Sequence, residues 1–444
     1  MTSPPALTRR TVLRGAAAMA VPALAFGPAA VSEAGRIPYL RARRAESLAA
    51  SVGVNVHLNF LTSAYADTDR VVDSVADLSV RHVRSRVSSL PAVQRGFTAL
   101  ERHRVKVQGV CGAFGDDQTM AEVLTGVVSS YDDPHAVFAA FEGINEPNND
   151  GVPWIDETRA KTRDLHRERS ALGLDRIPIV SPALARVASG GVEGDDTASQ
   201  AANLGDLSRY VDVGNVHVYP RLKTPGLDVD AFMTWQRQVT GDLPMVCSEG
   251  GYFTAMNYVG GAFPTPPDVC AVYLPRMLME NWVRGLRRSY VYELLDDYDP
   301  SNADRESNFG LLAVTGPDAS AGWVPKPHYR ALKNFLAILG DRGRQVQPGG
   351  LRVAVTGVRD LRKVLVAKRD GTRWLLLWRG VSCYDPVSRE RLACDARTAT
   401  VTFTKRRRVT LYRPTVSAAP VHTFARAASV RIPVAAELLI AQID

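Results

Sequence analysis

The sequence predicts an α/β protein: a (β/α)8 barrel over residues 50–340, followed by an antiparallel β-sandwich over residues 345–444. Three observations carry this reading. Short apolar runs alternate eight times with stretches of helical apolar spacing, which points to a closed barrel rather than an open sheet. Beyond Gln347-Pro348-Gly349-Gly350 the helical period disappears and short β-rich runs take over. The 444 residues are enough for one barrel of about 250 residues plus a smaller domain.

Ahead of the barrel, residues 1–34 resemble a twin-arginine export signal. Thr8-Arg9-Arg10-Thr11-Val12-Leu13-Arg14 precedes an apolar run from Gly15 to Phe26, and small residues from Ala25 to Ala34 offer cleavage sites. The apolar run is too short for a membrane span and is broken by Pro22, so an exported protein without a spanning helix is expected.

Strand one is expected at 51–60. Its helix follows at 69–78, where Val71, Val72, Val75 and Leu78 recur at helical spacing. Strand two falls at 81–87 with a helix through Phe97 and Leu100, and strand three at 105–114 with a helix at 120–128. Strand four is the apolar run 137–141 between Pro134 and Pro147, and a polar helix occupies 154–172. Strands five and six are placed at 177–184 and 212–219. A helix at 230–239 then leads into strand seven, the run from Leu243 to Glu249. A helix at 269–282 precedes strand eight at 289–295, and a long loop, 296–325, leads to the last helix at 327–339. The sandwich strands are expected at 351–355, 364–368, 374–378, 399–403, 409–412 and 438–443, with residues 36–50 as possible additions. Lys405-Arg406-Arg407-Arg408 reads as a solvated hairpin turn or as a polyanion-binding patch.

The formal charge of +8 is unevenly distributed. Residues 345–444 hold 18 Lys+Arg against 7 Asp+Glu, a net +11, so residues 1–344 carry −3 and residues 31–344 carry −6. An acidic barrel argues against nucleic acid as its partner. Of the five cysteines, Cys383 and Cys394 flank a short polar segment and are expected to pair as a disulfide in an exported protein. Cys111, Cys247 and Cys270 show no metal-ligand spacing, and Cys247 reads as a small buried hydrophobe.

The chemistry is concentrated at two strand ends. In Phe141-Glu142-Gly143-Ile144-Asn145-Glu146-Pro147-Asn148, Pro147 is expected to bias Glu146 towards an extended conformation and hold its carboxylate at the strand tip. In (β/α)8 barrels catalytic groups sit at these tips. In Leu243-Pro244-Met245-Val246-Cys247-Ser248-Glu249-Gly250-Gly251-Tyr252 a second carboxylate closes a buried strand and is released into a Gly-Gly turn. Two such Glu residues match the acid-plus-nucleophile pair of retaining glycoside hydrolysis.

With these two stretches in place, residues 50–340 resemble the clan A glycoside hydrolases, whose TIM barrels carry two Glu at the ends of strands four and seven. The local match is to family 39 (β-xylosidase and α-L-iduronidase type), whose F-E-x-x-N-E-P-N pattern is met by Phe141 to Asn148. The resemblance implies Glu146 as general acid/base, Glu249 as nucleophile and Asn145 as a hydrogen-bonding partner of the sugar 2-hydroxyl. Val216-His217-Val218-Tyr219-Pro220 matches the clan's strand six: Tyr219 would help keep Glu249 ionised, and His217 would help set the protonation of Glu146. Arg84, in Val83-Arg84-Ser85, resembles the clan's strand-two arginine beside the nucleophile, with a barrel-rim ion pair as its plainer role. An oligo- or polysaccharide is the implied partner, and no cofactor or metal is expected.

Other positions carry weaker signals. Asn55, His57 and Asn59 share one strand face, so His57 is either a sugar contact or a packed barrel-mouth histidine. Glu142, four residues before Glu146, is too deep for chemistry and reads as structural. At strand eight Tyr290-Val291-Tyr292-Glu293 replaces the family's tryptophan platform, leaving Tyr292 as a candidate sugar contact, while Glu293, Asp296 and Asp297 either contact sugar hydroxyls or cap the loop. Trp154 and Trp323 are outer-subsite or packing aromatics. Two other functions compete: a carbohydrate-binding barrel without activity, and a metal-dependent hydrolase using His57, His217 and the two Glu. The second lacks H-x-H or H-E-x-x-H spacing.

Overall fold

The computed structural model describes residues 27–28, 37–112, 118–149, 154–186, 196–220, 224–261, 263–344 and 346–444. Apart from Gly27 and Pro28, the expected export signal lies outside the described residues. Among the described residues no helix is long and apolar enough to cross a membrane.

Eight parallel strands form the barrel: Val52–Asn55, His82–Arg86, Lys106–Val110, Phe138–Glu142, Ile179–Val180, Gly214–His217, Met245–Gly250 and Ser289–Val291. Strand five lies beside four, and the order runs four, three, two, one, eight, seven, six. A parallel bridge between Val180 and Val213 closes the ring. A helix follows each strand: Thr68–Leu78, Pro91–Arg102, Met120–Ser130, Trp154–Ala171, Thr197–Leu204, Val229–Thr240, Pro267–Val283 and Pro327–Leu339. Local chemistry sets their ends. Asp67 accepts from the Arg70 N–H ahead of the first helix, and Thr119 and Glu122 cap the third reciprocally.

Every strand is shorter than or equal to the run that signals it, because several runs continue into the loops of the barrel mouth. The helix Thr197–Leu204 has no counterpart among the expected elements. Its eight residues bury only Thr197, Ala201 and Leu204, too weak a periodic signal to stand out.

The C-terminal sheet contains Gly350–Thr356, Leu361–Ala367, Arg373–Arg379, Arg397–Tyr412, His422–Val434 and Leu439–Ile443, paired antiparallel. Tyr39–Arg41 pairs with the first of these and Arg43–Arg44 runs parallel to the second. Two expectations are corrected here. The runs 399–403 and 409–412 are one strand, Arg397–Tyr412, whose register shifts on either side of Arg407. Lys405 to Arg408 therefore lie in a bulged strand, not a hairpin turn. The strand His422–Val434 is absent from the expected set because Ala425-Arg426-Ala427-Ala428 dilutes its β signal.

Strand alternation explains how the sheet joins the barrel. In Arg373–Arg379, Leu375 and Leu377 enter the core between the sheet's layers, while Trp374, Leu376 and Trp378 pack with the barrel's helices. Trp378 Nε1 donates to Glu280 Oε1 of the Pro267–Val283 helix at 3.0 Å. A hairpin, Tyr384–Asp385 with Glu390–Arg391, reaches the loop after strand seven, where Arg389 donates to the carbonyls of Met256 at 2.8 Å and Tyr258 at 2.5 Å. Removing residues 345–444 would strip the barrel of its contacts with Trp374, Leu376 and Trp378, a loss of roughly 1.5–3 kcal/mol for each. Such a truncation is expected to unfold at a clearly lower temperature in calorimetry; an unchanged midpoint would contradict a packed two-domain unit.

Cys383 and Cys394, expected to pair as a disulfide, lie side by side as hydrogen-bond partners, a contact that holds Cys394 down at about 7 and raises Cys383 above the usual thiol range.

Candidate active site

The barrel interior below the mouth is filled by a polar layer rather than by aliphatic side chains. Asn55, Arg84, Gln108, Glu142, Asn215 and Ser248 come from strands one, two, three, four, six and seven and are all buried. Arg84 is its hub, and all five of its N–H groups are used. Nε and Nη2 grip both oxygens of Glu142 at 2.8 Å each. Nη1 donates to Asn55 Oδ1 at 3.0 Å and to Glu249 Oε1 at 2.6 Å, and Nη2 donates to Asn145 Oδ1 at 2.6 Å. Burial works against the Arg84 charge, but Glu142 and Glu249 overcompensate and hold the guanidinium above its ordinary value. Glu142 is fully buried and also accepts from Gln108, Asn215 and Ser248, which suits its expected structural role.

A bulge in strand seven brings two consecutive side chains into the mouth. Cys247 pairs with Val216 but Glu249, not Ser248, pairs with His217, so Ser248 is the extra residue. Ser248 Oγ thereby reaches His217 Nε2 at 2.9 Å, while Glu249 turns to Arg84 and to Tyr219, whose hydroxyl donates to its Oε2 at 2.6 Å. Cys247 is buried, and burial pushes its thiol up to about 12, as befits a packed hydrophobe.

Glu146 sits four residues past the end of strand four, in front of a single turn, Pro147–Asn149. The expected extended conformation is not adopted: its φ is +39°, a left-handed backbone that costs a non-glycine residue about 1–3 kcal/mol. Two side chains hold it there. His217 Nδ1 lies 2.7 Å from Oε1, and Asn149 Nδ2 donates to Oε2 at 2.8 Å. Burial acts to raise the Glu146 carboxyl, but His217, Arg84 and Arg305 outweigh it and hold it below its ordinary value. For His217 burial acts to lower, and Glu249 and Glu146 outweigh it, so the imidazole is held above its ordinary value. Whenever the pair holds a single proton, these opposed shifts favour its resting on His217.

These groups line a cavity of about 360 Å³ walled by Tyr219, Phe253, Phe263, Tyr292 and Phe309, with Arg305 and Glu306 at its side. Of the candidate residues legible in the sequence, Asn145, Glu146, His217, Tyr219, Glu249 and Tyr292 line it, and Arg84 supports it from below. His57 and Glu293 do not. Glu293 is buried behind Tyr292, accepts from Tyr65 at 2.8 Å and lies 3.2 Å from His57 Nε2, so its carboxylate is already committed. Asp296 is likewise tied to Lys326 at 2.7 Å, Trp154 is packed in the core, and Trp323 lies under Arg70. The walls Phe253, Phe263 and Phe309 and the support residues Gln108 and Asn215 are not legible in the sequence. They come from loops or single polar letters in strands, with no motif around them.

Glu146, His217 and Glu249 each present one ligand atom within 4.8 Å of the others, the spacing of a three-ligand cation site. The donor set fits a metal poorly. Each atom already has a hydrogen-bond partner, Arg84 supplies a positive charge 2.6 Å from Glu249, and His57 stands apart on Glu293. Activity is accordingly expected to survive dialysis against a chelator unchanged; a loss restored by a divalent cation would contradict this.

No family model and no curated protein matches the chain. Solved structures do. A family 39 glycoside hydrolase from the gut symbiont Bacteroides cellulosilyticus WH2 is similar at a TM-score of 0.62 and 14% identity, over 90% of this chain and 82% of that one. The family 39 enzyme from Xanthomonas axonopodis pv. citri is similar at 0.56 and 13% identity, over 91% and 96%. A monomeric β-xylosidase from Caulobacter crescentus CB15 is similar at 0.57 and 13% identity, over 91% and 98%. At such identities the likeness is one of fold, and it covers both barrel and sandwich. The family suggested by Phe141 to Asn148 is the one to which these neighbours belong.

Proposed function

We propose that this protein is an exported glycoside hydrolase that cleaves an oligo- or polysaccharide with retention of anomeric configuration. The observation that carries the reading is the separation of two carboxylates at the C-terminal mouth of the barrel. A carboxylate oxygen of Glu146 and one of Glu249 lie within 4.8 Å of each other. Double displacement needs about 5–5.5 Å between the carboxyl groups, whereas room for a direct water attack needs about 6.5–9.5 Å.

Their surroundings divide the roles. Glu249, gripped by Arg84 and Tyr219, attacks the anomeric carbon. As the bond to the leaving oxygen breaks, that oxygen takes the proton of the Glu146–His217 pair through Glu146, which is the more exposed carboxylate. Water then enters, Glu146 takes its proton, and the ester to Glu249 is cleaved. Asn145 is held through Oδ1 by Arg84, which leaves Nδ2 for a sugar hydroxyl.

The test is a panel of nitrophenyl glycosides, with β-xylosides first because a structural neighbour is a β-xylosidase. Turnover by the unmodified protein that disappears in Glu146→Ala/Glu249→Ala is expected. Carbohydrate binding without turnover by the unmodified protein would point instead to an inactive binding barrel.

A further inference from the structure

Behind the catalytic pair a chain of hydrogen bonds runs from Glu146 into the barrel. His217 Nδ1 lies 2.7 Å from Glu146 Oε1, and His217 Nε2 lies 2.9 Å from Ser248 Oγ. Ser248 Oγ in turn donates to Glu142 Oε1 at 3.1 Å. Ser248, Glu142 and His217 are 0%, 0% and 2% exposed, so water does not compete for these contacts.

Counting protons along the chain fixes their positions. Glu142, held on both oxygens by Arg84, only accepts. The single hydroxyl proton of Ser248 therefore goes to Glu142, and Ser248 Oγ faces His217 as an acceptor. Nε2 of His217 must then carry a hydrogen in every protonation state. One proton is left for the contact between Nδ1 and Glu146 Oε1, either on the ring as imidazolium against carboxylate or on the acid against a bare Nδ1.

We propose that Ser248, anchored by Glu142, is a positioning residue that fixes the Nε2–H tautomer of His217 and so confines one proton to the His217–Glu146 contact. The proposal rests on the glycosidase reading for its kinetic consequence but not for the tautomer itself. The groups facing this proton are Glu249, Arg84 and Arg305, besides His217 and Glu146. In the first step the proton moves from Nδ1 to Oε1 and from there to the leaving oxygen. In the second, water returns a proton to Oε1. At no stage does Nε2 give up its hydrogen, so the ring cannot turn the wrong nitrogen to the acid. The β-bulge gives this a structural reason: without the extra residue in strand seven, Ser248 and Glu249 would not both face the mouth.

Removing the acceptor with Ser248→Ala leaves the imidazolium N–H unpaired and disfavours the protonated pair. The high-pH limb of kcat/KM, which reports loss of the acid's proton, is expected to move to lower pH. kcat/KM is expected to fall about 10- to 100-fold for alkyl glycosides, whose leaving group needs protonation, and little for dinitrophenyl glycosides. Ser248→Thr, which keeps the hydroxyl, is expected to restore the limb. An unmoved limb with equal losses on both substrates would overturn the proposal. A second measurement needs neither a variant of Ser248 nor a substrate. In protein labelled with ¹⁵N at its 8 histidines, the His217 ring, identified by its loss in His217→Gln, is expected to keep Nε2 protonated throughout a pH titration. A neutral ring protonated on Nδ1 would overturn the proposal even if no glycoside is ever cleaved.

Discussion

Glu249→Ala is expected to lose turnover by on the order of 10⁵-fold, about 7 kcal/mol of transition-state stabilisation. The loss is large because in the proposed mechanism the residue forms the bond to the anomeric carbon, and its replacement also leaves Arg84 and Tyr219 without the carboxylate they grip. Azide fits the space left by the carboxylate and is expected to restore turnover partly, giving a glycosyl azide of inverted configuration. Glu146→Ala differs in kind. It is expected to lose about 10²- to 10⁴-fold on substrates that need an acid and far less on those with good leaving groups. Azide should rescue it with retained configuration, because the ester to Glu249 still forms. Rate constants for the two variants on a leaving-group series, with the azide products identified by NMR, check both. Equal losses across the series for Glu146→Ala would remove it as the acid.

The second large effect is on stability. Arg84→Met is expected to destabilise the fold by about 3–5 kcal/mol, because it strands the buried carboxylates of Glu142 and Glu249 without their counter-charge. Lysine should not restore it, since an ammonium cannot reproduce the planar fork that meets both oxygens of Glu142. Denaturant unfolding of both variants measures this. A variant within experimental scatter of the unmodified protein would mean that the polar layer contributes nothing to folding.

The sequence announces the residues proposed to do the chemistry better than those that arrange it. Glu146 and Glu249 are legible because each comes shortly after an apolar run and is followed at once by Pro147 or Gly250, a strand tip with a forced chain reversal. Arg84 is legible as a cation in a buried strand, but not as the donor that joins Glu142, Glu249, Asn55 and Asn145. That role needs the register of four strands, which no local window contains. Ser248 is invisible for the same reason: only the pairing of strand seven against strand six shows it to be a bulge. The backbone of Glu146 is the clearest reversal. The neighbouring Pro147 favours an extended conformation, and the grip of His217 from strand six, with Asn149 in the following turn, overrides it. Glu293 is legible as a carboxylate at a barrel mouth, but its hydrogen bond from Tyr65 and its approach to His57 join elements more than 200 residues apart and leave no local signal.

The close approach of Glu146 and Glu249 is the centre of this account, and the configuration of the first-formed sugar tests it most directly. Proton NMR of the unmodified enzyme with a glycoside substrate, followed from the first minute before mutarotation, is expected to show product with the substrate's own anomeric configuration. An initially inverted anomer would contradict a covalent intermediate on Glu249 and require a water molecule between two carboxylates that have an oxygen each within 4.8 Å of the other's.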